Sequence, residues 1–135
     1  MAGAIALTNS GTISTCDATT GWTGDTFVLE PDIKTEGTNS VSWAATNTGT
    51  NDAYVAGTFN FSGNQHLRLT FQLSYGAYFS TSNAIQIFLS DGTNTDYVTV
   101  YGSASDYPGG FVDVVLDVNL FTTVTLSSIT QVGIR

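Results

Sequence analysis

The sequence of 135 residues has little of several things that would point to a particular class of protein. Lysine and arginine together number 3 against 11 acidic residues, which gives a formal net charge of -8. A chain so poor in cations cannot neutralise a row of phosphates or bind an anionic membrane surface. We therefore expect neither nucleic acid nor membrane as a partner. The one cysteine, Cys16, excludes an intrachain disulfide, and with it a disulfide-framework domain.

Long apolar stretches are lacking too. No run approaches the roughly 20 apolar residues that a membrane-spanning helix needs. The first seven residues have neither the basic start nor the apolar stretch of a secretory signal peptide. These absences predict synthesis in a reducing cytoplasm, with use after release or assembly.

What the chain does contain is enough apolar side chain for one packed domain. Hydrophobic residues make up 41% and aromatic residues 12%, whereas charged residues make up only 10%, against about 25% in an average domain. The surface must therefore consist mostly of Ser, Thr, Asn, Gly and Gln. Such surfaces are common on secreted binding modules and on virion proteins, where neighbouring copies cover much of the sheet.

Alternation of apolar and polar residues predicts β-strands along the whole chain, and no segment has a helical period. In residues 66–74, for example, Leu67, Leu69 and Phe71 fall on one face and polar side chains on the other. Residues 84–90 and 97–101 are predicted to form a hairpin around the turn Asp91-Gly-Thr-Asn94. The other predicted strands are Thr26–Glu30, Ser40–Thr46, Ala53–Phe61, Phe111–Val118, Val124–Leu126 and Ile129–Ile134. The expected architecture is an all-β sandwich or barrel.

Both ends of the chain affect the expected domain. Residues 1–15 are predicted to be a first strand or an arm that reaches a neighbouring subunit, and residues 16–135 the sandwich domain. Ile129–Ile134 reads as a strand that stops without a closing turn, which would leave an open sheet edge. Either the protein continues beyond Arg135, or another chain supplies the partner strand.

The segment from residue 85 to residue 111 resembles the jelly-roll domains of tailed-phage structural proteins. A strand leads into Ser90-Asp-Gly-Thr-Asn94 and an aromatic strand, then Tyr107-Pro-Gly-Gly110 precedes an aromatic residue and an apolar strand with Val-Asp. The segments Cys16-Asp-Ala-Thr-Thr-Gly-Trp22, Glu36-Gly-Thr-Asn-Ser-Val41 and Ile129-Thr-Gln-Val-Gly-Ile134 are also similar to these domains.

The resemblance spans residues 16–134 and implies a two-sheet antiparallel jelly-roll sandwich, related in shape to galactose-binding-like and carbohydrate-binding modules. In that family a further strand with a Trp-Val-Asp-like pattern follows Val-Gly-Ile, and this chain lacks it. The departure agrees with a chain that is cut short or that shares a strand. The family implies a virion protein made in the host cytoplasm, with other virion proteins as partners.

Catalytic constellations are not evident in the sequence, so we expect no enzyme. His66 is the only histidine and stands on the polar face of a predicted strand, where a surface role is the simpler interpretation. Asp113 and Asp117 share a strand face but would lie roughly 13 Å apart, whereas glycosidase carboxylates need about 5–10 Å.

Aromatic and acidic side chains offer the candidate binding sites. Trp22, Tyr97, Tyr101 and Tyr107 could stack on sugar rings or form subunit contacts, and Tyr97 and Tyr101 are predicted to share one strand face. Trp43, on a predicted inward face, is more consistent with the core. Asp91, Asn94 and Asp96 could supply oxygen ligands to Ca²⁺, with ordinary turn chemistry as the alternative and no other cofactor expected.

Scarce charge on the predicted sheet edges indicates that neighbouring copies cover them. We therefore expect either a homo-oligomer such as a trimer or one copy docked on a larger lattice. The first functional hypothesis is a virion structural protein of the head decoration, fibre or tail that works by contact and not by turnover. The alternative is a carbohydrate-binding module that contacts host or environmental glycans.

Overall fold

In the residues that it describes, the computed structural model contains short strands joined by turns and no long helix. It describes residues 11–14, 16–24, 26–30, 32, 38, 40–44, 50–63, 66–72, 85–103 and 106–135, without the side chains of Thr26, Glu30, Trp43 and Ala44. The strands in these segments are β1 (Trp22–Thr23), β2 (Thr26–Glu30), β3 (Ser40–Ala44), β4 (Ala53–Phe59), β5 (His66–Gln72), β6 (Ile85–Ser90), β7 (Thr95–Tyr101), β8 (Phe111–Asp117) and β9 (Ile129–Ile134). Two short 3-10 helices, Val118–Leu120 and Leu126–Ser128, lie between β8 and β9.

The strands pair antiparallel throughout the described segments. One sheet has the order β1-β4-β9-β6-β7, and two ribbons pair β2 with β3 and β5 with β8. Pairing is nested along the chain, since β4 pairs with β9 and β5 with β8. The inner faces of the five-stranded sheet and the β5–β8 ribbon share one hydrophobic core, so the predicted all-β antiparallel class is confirmed. Its buried members are Phe61, Leu67, Ile87, Leu89, Val118, Phe121, Val124 and Ile129.

Alternation assigned most of the strand faces correctly. In β8, Val112 and Val114 are buried while Asp113 and Val115 are exposed, and β5 follows the same rule. Two strands, Thr26–Glu30 and Ile129–Ile134, have the predicted bounds. The strand predicted at Val124–Leu126 is wrong. Val124 is buried in a loop and Leu126 begins a 3-10 helix, because three alternating residues cannot distinguish a strand from a loop that sends one side chain inward.

The open edge expected at the C-terminal strand is also wrong. β9 lies inside the five-stranded sheet, with β4 on one side and β6 on the other. The ladder continues one residue further, since the backbone N–H groups and carbonyls of Gln86 and Arg135 are bonded reciprocally. Sequence patterning shows that a strand is present but not which strands flank it.

Parts of several predictions fall outside the described residues. These are the arm or strand at residues 1–10 and 15, the ends of predicted strands at residues 45–46, 73–74 and 84, and the side chain of Trp43. Of the predicted arm, residues 11–14 are described, and Ile13 packs against the core.

Gly133 in β9 allows a close contact on the outer face of the five-stranded sheet. A Cβ at this position would lie 2.5 Å from the ring of Phe88 and 2.6 Å from the carbonyl oxygen of Ala53. The ring of Phe88 therefore lies against the backbone of β9, and its side chain is only 3% exposed. A glycine inside a strand commonly marks such a close approach.

We predict that Gly133→Ala destabilises the protein by about 1–3 kcal/mol, because the added methyl group meets a backbone oxygen that cannot turn away. Urea unfolding followed by circular dichroism measures the change. Gly11→Ala is the control, since a Cβ at Gly11 meets nothing within 4 Å. A Gly133→Ala midpoint equal to that of the control would contradict the packing described here.

Candidate functional site

A register shift separates the two tyrosines of β7. Phe88 pairs with Tyr97 and Gln86 with Thr99, but the next pair is Ile85 with Tyr101, so β7 has one extra residue at this point. A bulge of this kind reverses the alternation that follows it. The prediction that Tyr97 and Tyr101 share a face is therefore wrong: Tyr97 lies on the outer face and Tyr101 on the inner face.

The other predicted aromatic contacts lie apart from Tyr97. Tyr101 meets Phe71 of β5 edge-on at 6.3 Å between ring centroids, and Tyr107 at 5.7 Å. The hydroxyl of Tyr107 donates to the carbonyl of Gly110, which closes its loop. These rings fill one end of the sandwich and form no flat platform.

Trp22 belongs to the opposite edge of the five-stranded sheet. It pairs with Val55, whose other partner in the sheet is the core-packed Val132, so the indole is on the inner face. Its ring packs at 6.0 Å from that of Phe27, and its Nε1 donates to Ser14. The structure therefore does not bring Trp22, Tyr97, Tyr101 and Tyr107 into one site.

A row of aromatic side chains crosses the outer face of the sheet at right angles to the strands. Register places Tyr97, Phe88, Gly133 and Tyr54 side by side on β7, β6, β9 and β4. Phe88 is 5.7 Å from Tyr97 and 6.2 Å from Tyr54 between ring centroids. We call Tyr54, Phe88 and Tyr97 the outer aromatic row. Phe88 is buried between Tyr54 and Tyr97, which are partly exposed.

An ion pair lies beside the outer aromatic row. Arg135 donates from Nε and Nη2 to the two carboxylate oxygens of Asp52, at 2.7 and 2.8 Å. Its guanidinium carbon lies 4.2 Å from the centre of the Tyr97 ring. Hydrogen bonding to Asp52 outweighs partial burial and raises the pKa of Arg135. The guanidinium is held in one position by a bidentate pair on its edge and a ring on its face.

Sequence reasoning found Tyr97 but missed the residues around it. Phe88 was hidden because the inward set Ile85, Ile87 and Leu89 already satisfied the alternation of β6. Two signals could have helped: an aromatic residue on the supposedly polar face of a strand, and a glycine inside the strand at Gly133. Neither signal identifies neighbours, so the row itself required the pairing of β4, β9, β6 and β7.

Asp91 and Asp96, the acidic calcium candidates, fasten loops. Asp91 accepts from the backbone N–H groups of Thr93 and Asn94 with Oδ1 and of Thr125 with Oδ2. These bonds lower its pKa from 3.8 to about 2. Asp96 accepts from the backbone N–H groups of Tyr97 and Thr123. Desolvation raises the pKa of Asp96, but the bonds from Thr123 and Tyr97 outweigh it and the net shift is downward.

Carboxylate oxygens that already accept backbone N–H groups offer little to a cation, so this geometry favours turn chemistry over calcium. The turn predicted at Asp91–Asn94 is present, with the N–H of Asp91 bonded to the carbonyl of Asn94. Within the described segments, no group of three or more His, Cys, Asp or Glu side chains is placed to hold a metal ion.

The outer face of the β5–β8 ribbon is mostly polar, with the exposed side chains of Phe111 and Val115 among the polar ones. Arg68 and Thr70 both donate to Asp113, and the bond from Arg68 is the main reason why the pKa of this carboxyl is lowered. Asp117 caps the following 3-10 helix through the N–H of Asn119. His66 is exposed opposite Asp117. Asp113 and Asp117 thus each have a structural partner within this part of the chain.

Comparisons with protein-family models, with curated proteins and with solved structures gave no match. No helix in the described segments is long and apolar enough to cross a membrane. Function must therefore be argued from this chain's own residues.

We predict that Asp91→Asn lowers stability at neutral pH, because the amide group turns an N–H donor towards N–H groups that the carboxylate accepts. The folded pKa of about 2 is below the unfolded value of 3.8, so the contribution of the charge is full above pH 3.8 and disappears as the pH falls through 2. Urea midpoints between pH 2 and 7 should show the wild type and the variant converging at the acidic end.

Asp32→Asn is the matched control, since Asp32 is exposed, and its midpoint should follow the wild type at every pH. A gap between Asp91→Asn and wild type that stays constant down to pH 2 would show that the carboxylate charge is not what fastens the loop.

Proposed function

We propose that this protein is a non-enzymatic structural component of a tailed-phage virion that acts by contact between its sandwich and neighbouring subunits. The assignment to a phage particle rests on the resemblance of residues 16–134 to the jelly-roll domains of tailed-phage structural proteins. The structure supports the contact role through the exposed apolar surface of the β2–β3 ribbon, which is the observation on which the proposal depends.

The β2–β3 ribbon presents apolar side chains on both of its faces. Val28 and Leu29 are consecutive, so they point to opposite faces, yet they are 50% and 39% exposed. Phe27 contacts Trp22 and so attaches the ribbon to the sandwich on one side. A two-stranded ribbon is marginally stable alone in water. A neighbouring subunit that covers Val28 would remove this apolar surface from solvent.

The disposition of the acidic groups also favours contact over chemistry. Most aspartates of the described segments accept hydrogen bonds from this chain itself, which uses them to hold loops and strands together. They are Asp17, Asp52, Asp91, Asp96, Asp106, Asp113 and Asp117.

Two measurements test this proposal. Size-exclusion chromatography with light scattering should give a homo-oligomer at micromolar concentration. Val28→Lys should shift it towards monomer, because burying an unpaired ammonium at an interface is costly. The matched control is Val115→Lys, since Val115 is 43% exposed on the β8 face, and it should leave the assembly unchanged.

Mass spectrometry of purified particles from the source of the sequence should detect peptides of this chain. A monomer at all concentrations together with absence from particles would contradict the proposal. An oligomer broken equally by Val28→Lys and Val115→Lys would contradict the assignment of the contact to the β2–β3 ribbon.

A further inference from the structure

The outer aromatic row has a polar row beside it on the same sheet face. Two residues further along each strand, and therefore on the same face, register places Thr99, Gln86, Arg135 and Asp52 next to one another on β7, β6, after β9 and before β4. Gln86 donates from Nε2 to the hydroxyl of Thr99 at 3.3 Å, which leaves its amide oxygen for another partner. The face therefore combines ring surfaces with a line of donors and acceptors only one row away.

A sugar is the chemical complement of a surface that combines aromatic rings with a line of polar groups. A pyranose ring has an apolar C–H face, which packs on aromatic rings, and hydroxyl groups around its edge, which need donors and acceptors. Tyr54 and Tyr97 are partly exposed and offer this apolar surface, whereas Phe88 is buried between them. The polar row runs parallel to the two tyrosine rings. A purely structural cover for the sheet would need the rings but not the adjacent polar line.

Charge narrows the class of ligand. Among the described residues of this face, the charged side chains are Arg135 and Asp52, which are paired with each other at 2.7 Å. This pairing favours a neutral ligand over an ionic one. Of its five N–H donors, Arg135 gives two to Asp52 and bonds to the side chain of Tyr97 as well, which leaves two for a ligand. Because the guanidinium is already fixed by Asp52 and Tyr97, little further ordering is needed for it to donate to a hydroxyl.

We infer that the outer aromatic row and its polar neighbours Gln86, Arg135 and Asp52 bind a neutral oligosaccharide of pyranose units. This site does not coincide with the set Trp22, Tyr97, Tyr101 and Tyr107 predicted from sequence, and shares only Tyr97 with it. The inference is independent of the virion proposal, since a glycan-binding face serves a particle protein and a free module equally well.

Affinity electrophoresis tests the site with stated probes. Gels containing hydroxyethylcellulose, xylan, galactomannan or dextran should include at least one that retards the wild-type protein, and polygalacturonate should not retard it more strongly than the best neutral polymer. Tyr54→Ala and Tyr97→Ala should each weaken the retardation on the order of tenfold, as expected for aromatic side chains at the centre of a contact. Arg135→Gln should weaken it while leaving all three rings in place.

Tyr107→Ala is the matched control, because it removes a tyrosine that packs on Tyr101 away from the outer face, and it should bind like the wild type. Circular dichroism and urea midpoints verify folding, and Tyr54→Leu replaces Tyr54→Ala if the latter unfolds. Lack of retardation by all four neutral polymers would overturn the inference. So would equal losses in Tyr54→Ala and Tyr107→Ala, or a dimer that dissociates in Tyr54→Ala with no glycan bound. Each of these results leaves the test of the β2–β3 contact unaffected.

Discussion

The position of β9 between β4 and β6 is the constraint on which the rest of the structure depends. Its inner side chains, among them Ile129 and Val132, pack in the shared core. On its outer side, Gly133 gives the ring of Phe88 room against the backbone. The reciprocal hydrogen bonds after β9 then place Arg135 beside Gln86 and within reach of Asp52. One ladder thus connects the two halves of the sheet and assembles the outer face.

The acid-rich composition determines how the carboxylates of the surface are paired. With 3 basic residues against 11 acidic ones, few carboxylates can be paired with cations, and backbone N–H groups serve instead. Asp91 and Asp96 attach the segment between β8 and β9 to the β6–β7 hairpin in this manner. Asp96 also accepts the N–H of Tyr97 on the edge strand β7, so one carboxylate both holds a loop and occupies an edge donor. Exposed ion pairs such as Arg68 with Asp113 add little stability, about 0–1 kcal/mol.

The proposed subunit contact and the proposed sugar site lie in different parts of the same fold. The β2–β3 ribbon exposes Val28 and Leu29 on its two faces, which suits a surface covered by protein. The outer aromatic row has a line of polar side chains beside its rings, which suits a sugar. Alternate positions of β4, β6, β7 and β9 specify the core and the outer aromatic row, whereas the proposed contact surface belongs to the separate β2–β3 ribbon.

The sequence by itself determined the all-β class, most strand positions and the inward sets of β5, β6 and β8, because alternation with a period of two is a local property. It also determined the turn at Asp91–Asn94, since the hydrogen bonds of Asp91 and the positive φ of Gly92 form the turn within these four residues. Only the tertiary structure decided that β9 is internal, that a bulge in β7 turns Tyr101 inward, and that Tyr54, Phe88 and Tyr97 form one row. These depend on which strands are neighbours and in which register, and pairing between distant segments leaves no periodic trace in either one alone.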